Sequence, residues 1–275
     1  MTERVFLQLG TRPVPYPEDV RARLDRDADT IIARYSLPEA PDPQMARSAL
    51  LPLLHLVQAE DGFVSPTGSE FCADRLGLTG AEVTAVSTFY SMYRREPTGD
   101  YLVGVCTNTL CAVMGGDAIF EALQDHLDSG DDRLTLTRVE CHAACDYAPV
   151  VMVNWEFFDD QTPESARALV DSLRIGEEVV PTRGASLCTF KETQRILAGF
   201  PDERPGAAHA GGRVGEPTLA GLHIAQDAGM TAPTVSHPTD SGAAPLDSEE
   251  ATAAATTKDK PAPAPTESVP PEKGE

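Results

Sequence analysis

The chain has 275 residues, a formal net charge of −21 and six cysteines. So few cysteines, behind a start of Met1-Thr2-Glu3-Arg4 with no basic-then-apolar leader, argue against a disulfide-stapled secreted scaffold and for a reducing, cytoplasmic setting. No run approaches the ~20 apolar residues of a membrane span, and no Lys/Arg cluster suits phosphate contacts, so neither membrane insertion nor nucleic-acid binding is expected; the acidic excess suits solubility or steering toward a basic protein partner.

In chain order, the region from about Glu18 to Tyr93 reads as three or four short helices. Over Met45–Gln58 the apolar residues Leu50, Leu53, Leu54 and Val57 follow the spacing of an amphipathic helix. Ser65-Pro66 offers an N-cap followed by proline at the first helical position, and Thr79-Gly80-Ala81-Glu82 is a capping box. This stretch carries no convergent catalytic set and reads as a packing and docking subdomain. From Tyr101 the period changes. Tyr101–Val105 reads as a strand, Gly115-Gly116 opens a helix through Ile119, Phe120, Leu123 and Leu127, Leu134–Val139 alternates as a half-buried strand, Val150–Val153 is a second apolar strand, and Thr162-Pro163 opens a last helix through Ala166, Leu169, Val170 and Leu173. The order strand, helix, strand, strand, helix predicts a small α/β domain. Phe200 is the last aromatic residue; residues 201–275 hold 12 acidic against 5 basic residues, with Lys260-Pro261-Ala262-Pro263-Ala264-Pro265 near the end, and read as a disordered, solvated tail.

Four cysteines fall at element ends. Cys106 closes the first strand, Cys111 lies just before the next helix, and Cys141 and Cys145 occupy the loop between the second and third strands. Loops following successive strands can meet at one sheet edge, as a four-thiolate group requires. The spacing C-x4-C, then C-x3-C, fits the wider loops around a two-iron cluster better than the tighter knuckles of structural zinc, although zinc stays open on spacing alone. Thr107, Asn108 and Thr109 are expected to supply hydrogen-bond donors toward cluster sulfurs, and Ala143 and Ala144 to let the second loop approach closely. A Rieske-type role for His142 would need a second histidine in the motif, which is lacking. Cys72 and Cys188 read as small buried hydrophobes.

The segments Cys106-Thr107-Asn108-Thr109-Leu110-Cys111 with Gly115-Gly116, and Val139-Glu140-Cys141-His142-Ala143-Ala144-Cys145 with Ala148–Asn154, resemble the thioredoxin-like [2Fe–2S] subunit of complex I, the 24 kDa or E subunit of NADH:quinone oxidoreductase. Ala59–Val64 and Val86–Tyr93 resemble that family's helical region, and the likeness spans about residues 20–180. The resemblance implies a thioredoxin-like [2Fe–2S] domain behind a small helical subdomain, with Cys106 and Cys111 on one iron and Cys141 and Cys145 on the other. His142-Ala143 stands where the family usually has Leu-Gly, a departure that bears on cluster potential and exposure rather than on ligation. The tail lies outside the family core and is similar to that of actinobacterial versions.

From the same resemblance follow a partner subunit that binds FMN and NADH, further iron–sulfur subunits of the peripheral arm, and a place at the cytoplasmic face of the membrane held through the complex. No G-x-G-x-x-G turn or G-x-x-x-x-G-K-[ST] loop is present, so this chain alone is not expected to oxidise NADH. The corresponding subunits of NAD-linked formate dehydrogenase and bidirectional hydrogenase, and a stand-alone ferredoxin, are the alternatives. The expected organisation is 1–95 helical, 96–180 cluster domain, 181–200 extension and 201–275 tail.

Overall fold

Helix formation follows the local signals. In the computed structural model, which describes residues 13–35, 46–127, 132–212 and 214–231, α1 (Glu18–Ala33) starts behind Pro17 with Glu18 and Asp19 in its first turn, where carboxylates complement the helix dipole. It buries Leu24, Ala28 and Ile31, one stripe at helical spacing. A 3₁₀ turn at Arg47–Ala49 leads into α2 (Leu50–Asp61), which buries Leu50, Leu53, Leu54 and Val57 and ends at Gly62 in the left-handed region (φ 79°). Met45 lies outside the described residues.

The two caps read from sequence are present. Ser65 Oγ accepts from Gly68 N at 2.9 Å at the start of α3 (Pro66–Leu76). At α4 (Gly80–Phe89), Thr79 Oγ1 accepts from Glu82 N at 3.3 Å and the Glu82 carboxylate accepts from Thr79 N at 2.9 Å. These helices close on a core that includes Leu53, Leu54, Phe71, Cys72 and Tyr93. Gly68 is required there, since a side chain on it would collide with Val57 of α2.

The second core is built on a four-stranded sheet, order β2-β1-β3-β4. β1 (Tyr101–Cys106) runs parallel to β2 (Leu134–Val139), from Tyr101 opposite Leu134 to Cys106 opposite Val139. β3 (Val151–Val153) and β4 (Glu156–Phe158) form a hairpin whose first strand pairs antiparallel with β1. The parallel crossover carries α5 (Thr109–Val113) and α6 (Gly116–His126); α7 (Pro163–Ile175), capped by Thr162, follows the hairpin. Strand alternation sorts the side chains: Val103 and Val105 enter the core with Ile119, Leu123, Ala166 and Val170, while Cys106, on the other parity, joins a separate cluster with Cys111, Ala144, Ala148 and Val150.

The structure departs from the sequence expectation at several places. Helix α5 and strand β4 are additional, both too short for periodicity to reveal. The β3–β4 turn uses Asn154 (φ 47°) and Trp155 (φ 71°) in place of a glycine-bearing pair. Asn154 compensates through its side chain: Oδ1 accepts from Leu102 N at 2.8 Å, and Nδ2 donates to the carbonyls of Asp100 (2.9 Å) and Cys188 (2.8 Å). Helix α8 (Phe190–Leu197), opened by a Thr189–Glu192 capping box, packs on α2 and brings Gln194 to His55 and Gln58 at 2.7 Å each.

Over the described residues 201–212 and 214–231 the structure differs from the disorder expected from residue 201 onward. Arg204 donates to Asp202, to Glu156 Oε1 at 2.8 Å and to the Ser186 carbonyl at 2.6 Å, and α9 (Glu216–Asp227) forms beyond it. Charged hydrogen bonds anchor this stretch where large apolar groups are few. Residues 1–220 form one unit and 221–275 a second, in which residues 232–275, including the proline-rich end, lie outside the described residues.

Candidate metal centre

The parallel pairing of β1 and β2 sends both chains out at the same sheet edge. Cys106 is the last residue of β1, and Cys141 follows β2 by two residues, so the strands themselves bring the two cysteine segments together. Cys111 lies just ahead of α6, as expected, and also sits inside the short helix α5; it is 2 % exposed. Cys145 opens a 3₁₀ turn, Cys145–Tyr147. Cys106, Cys111, Cys141 and Cys145 line one small pocket with His142, Ala144 and Val150. All four residues singled out from the sequence are thus brought together, while Cys72 is buried in the helical core and Cys188 is half-buried with Sγ 3.2 Å from Thr193 Oγ1.

Within the pocket two of the thiols stand as a close pair. Cys141 Sγ and Cys145 Sγ are 3.5 Å apart, close to the ~3.8 Å separating two thiolates that each lie about 2.3 Å from one tetrahedral ion. The Cys111 thiol feels both Cys106 and Cys145. Among the described residues no group of three or more His, Cys, Asp or Glu gathers as a single-ion site. Burial pushes the Cys111 thiol up to about 11, and the adjacent Cys106 acts in the same direction. Four thiolates at one sheet edge therefore require compensating positive charge, which the two irons of a [2Fe–2S] group carry. The donor set fits that group.

Backbone geometry supports close approach. Ala143 adopts a left-handed conformation (φ 56°) and directs its N–H to Cys141 Sγ at 3.3 Å. Gly115 (φ 111°) caps α6, and a Cβ on Gly116 would collide with the Cys106 carbonyl and lie 2.9 Å from that of Cys111. Three of the donors at 107–109 have other partners: Asn108 Nδ2 donates to Glu140 Oε2 at 2.7 Å, Thr109 Oγ1 to Asn108 Oδ1 at 3.3 Å, and Thr107 N to the Val139 carbonyl at 3.3 Å. The Asn108 and Thr107 bonds tie the first cysteine loop to the segment that leads into the second. His142 meets Phe157 edge-on at 6.1 Å, and burial lowers its pKa, favouring the neutral ring.

Sequence reasoning missed the groups bracketing Cys145. Arg183 Nη2 donates to Asp146 Oδ1 at 2.8 Å and to the Ala144 carbonyl at 3.4 Å, while its Nε reaches both oxygens of Asp159. Thr218 donates to Asp146 Oδ2 at 2.6 Å, which together with Arg183 holds that carboxyl below the usual range. Arg183 lies 39 positions from Ala144, beyond the reach of any local pattern.

A mixed α/β domain that gathers four thiols at one edge of its sheet, the two cysteine pairs on separate loops, has the donor set of a thiolate metal centre. The family model described as thioredoxin-like [2Fe-2S] ferredoxin matches residues 28–174, and the chain belongs to that family. It is 63% identical over 227 residues to the E subunit of NADH-quinone oxidoreductase from Mycobacterium tuberculosis (strain ATCC 25618 / H37Rv), covering 80% of this chain and 86% of the relative. The E subunit of the same oxidoreductase from Rickettsia bellii (strain RML369-C) is 36% identical over 154 residues, covering 54% and 89%. Among solved structures, an air-oxidized NAD+-reducing [NiFe]-hydrogenase superposes with a TM-score of 0.41 at 18% identity, covering 46% of this chain and 23% of that one. Membership implies a [2Fe–2S] cluster. No helix among the described residues is long and apolar enough to cross a membrane.

Proposed function

We propose that Cys106, Cys111, Cys141 and Cys145 ligate one [2Fe–2S] cluster and that the chain is the electron-transfer E subunit of an NADH–quinone oxidoreductase. The observation that carries this reading is the meeting of the four thiols in one pocket, in a chain 63% identical to relatives of that name. When bound, the cluster supplies one-electron chemistry.

The chain's own residues keep the site dry and accessible on one side. Cys106, Cys111, Ala144, Ala148 and Val150 form a buried apolar floor, whereas Cys141 is exposed. The Ala143 N–H steadies charge on the Cys141 sulfur. Electrons enter and leave on the Cys141 side, through a partner subunit that binds FMN and NADH and performs the hydride chemistry. Leu110, Val113 and Met114, exposed beside Cys111, support a protein neighbour on this face. Further iron–sulfur subunits of the peripheral arm, and attachment to the cytoplasmic face of the membrane through the complex, belong to the same proposal.

The test is reduction by NADH. The purified chain shows none alone and becomes reduced when mixed anaerobically with the flavin-binding partner from the same organism's oxidoreductase; failure of that mixture to reduce the chain, with the cluster intact, counts against membership of this complex.

A further inference from the structure

The loop that carries Cys145 is held by residues outside the matched family domain, 28–174. Arg183 grips it on both sides of the cysteine, at the Ala144 carbonyl (3.4 Å) and at Asp146 Oδ1 (2.8 Å), with its guanidinium 5.1 Å from the Tyr147 ring centre. It is itself fixed from behind. Its Nε donates to Asp159 at 3.0 and 2.8 Å, the Asp159 side chain is completely buried, and the Arg183 carbonyl accepts from Phe157 N at 3.4 Å, tying the arginine backbone to β4. Thr218 then occupies the second oxygen of Asp146 at 2.6 Å. Two segments of the chain thus converge on the residues flanking one cysteine, and a third holds the arginine in place.

An arginine is suited to this task because its planar fork serves several acceptors at once while keeping its charge. Arg183 faces two carboxylates, Asp146 and Asp159, so the group as a whole retains one negative charge. Reduction adds negative charge to a cluster, and a nearby cation favours the reduced form while a nearby carboxylate opposes it.

We propose that Arg183 is a positioning residue for the cluster: it fixes the Cys145 loop and, by offsetting the Asp146 carboxylate next to Cys145, raises the cluster's reduction potential. Thr218, from the segment beyond the family domain, locks the loop in this arrangement. The proposal rests on the ligand assignment above. Arg183 acts through the Cys145 loop and touches no reacting atom.

The test is an anaerobic redox titration of the full chain followed by EPR. Arg183→Gln leaves two carboxylates uncompensated and lowers the midpoint potential; Asp146→Asn removes a negative charge next to Cys145 and raises it; Arg183→Lys, which keeps the charge but loses the fork, restores most of the Gln shift with altered EPR line positions. Should Arg183→Gln fail to fold because Asp159 is left unpaired, the rise in Asp146→Asn and the altered line positions of Arg183→Lys still decide. Variants at the parent potential, or Gln and Asn variants shifted in the same direction, overturn the role of Arg183. A parent chain without about two irons per molecule and a reduced-state signal overturns the ligand assignment itself, a result distinguishable from the first.

Discussion

Asn154 is a central determinant of stability at the β3–β4 turn. Its side chain is buried, the residue being 1 % exposed, and joins three backbone segments: Leu102 N in β1, the carbonyl of Asp100 ahead of β1, and the carbonyl of Cys188 ahead of α8. Replacing it by alanine removes three buried hydrogen bonds at ~1 kcal/mol each. Alanine must also adopt the left-handed conformation, at a further ~1 kcal/mol. The Asp100 carbonyl keeps its bond from Phe190 N at 2.7 Å, which limits the loss. Asn154→Ala is thus expected to cost about 4 kcal/mol and Asn154→Gly about 3 kcal/mol, since glycine accepts the conformation and loses only the bonds. Anaerobic urea unfolding of the parent and both variants, followed by circular dichroism, measures this. An alanine variant within about 1 kcal/mol of the parent would refute the reasoning, because losses of that size fit a single exposed bond.

Other consequences follow from the same geometry. Gly68→Ala forces a methyl into Val57 and is expected to destabilise by ~1–3 kcal/mol, read as a lower urea midpoint. Asp61 accepts from Tyr16 (2.6 Å) and Ser65 (2.5 Å), and burial raises its pKa. The folded state therefore holds the proton more tightly, and this residue's contribution falls as pH rises from its unfolded value near ~3.9 through the raised folded one. Asp61→Asn should abolish that part of the decline in urea midpoints measured between acid and neutral pH. In iron-free protein, iodoacetamide should label exposed Cys141 first and Cys111 and Cys72 last, as both are buried and burial raises both thiols; mass mapping against time checks the order.

Where the determinants were local, the sequence was readable. Ser65-Pro66, Thr79 to Glu82 and Thr162-Pro163 each carry their own helix start within four residues, and all three helices begin there. Cys106 could be assigned to the end of the first strand and Cys141 and Cys145 to the loop between the second and third, because loops that follow successive strands can meet at one sheet edge. Cys111 was placed correctly ahead of α6, but the short helix around it was not seen, since five residues leave no periodic trace. The β3–β4 hairpin was missed because Asn154-Trp155 lacks the glycine that announces such turns, and its support comes from side-chain bonds to residues 34 to 54 positions away. Asn108 was expected to face sulfur and instead faces Glu140, a choice made by tertiary proximity of the two cysteine loops. Arg183 and Thr218 carry no motif at all. Their role exists only because the extension folds back onto the Cys145 loop.

The ligand set is tested most directly by anaerobic purification of the full chain and its Cys145→Ala variant, with iron and zinc analysis and EPR after dithionite reduction. The account predicts about two irons per parent chain with a [2Fe–2S] signal, and loss of that signal in the variant with its helices retained. Zinc in place of iron in the parent, or an unchanged cluster signal in the variant, contradicts it.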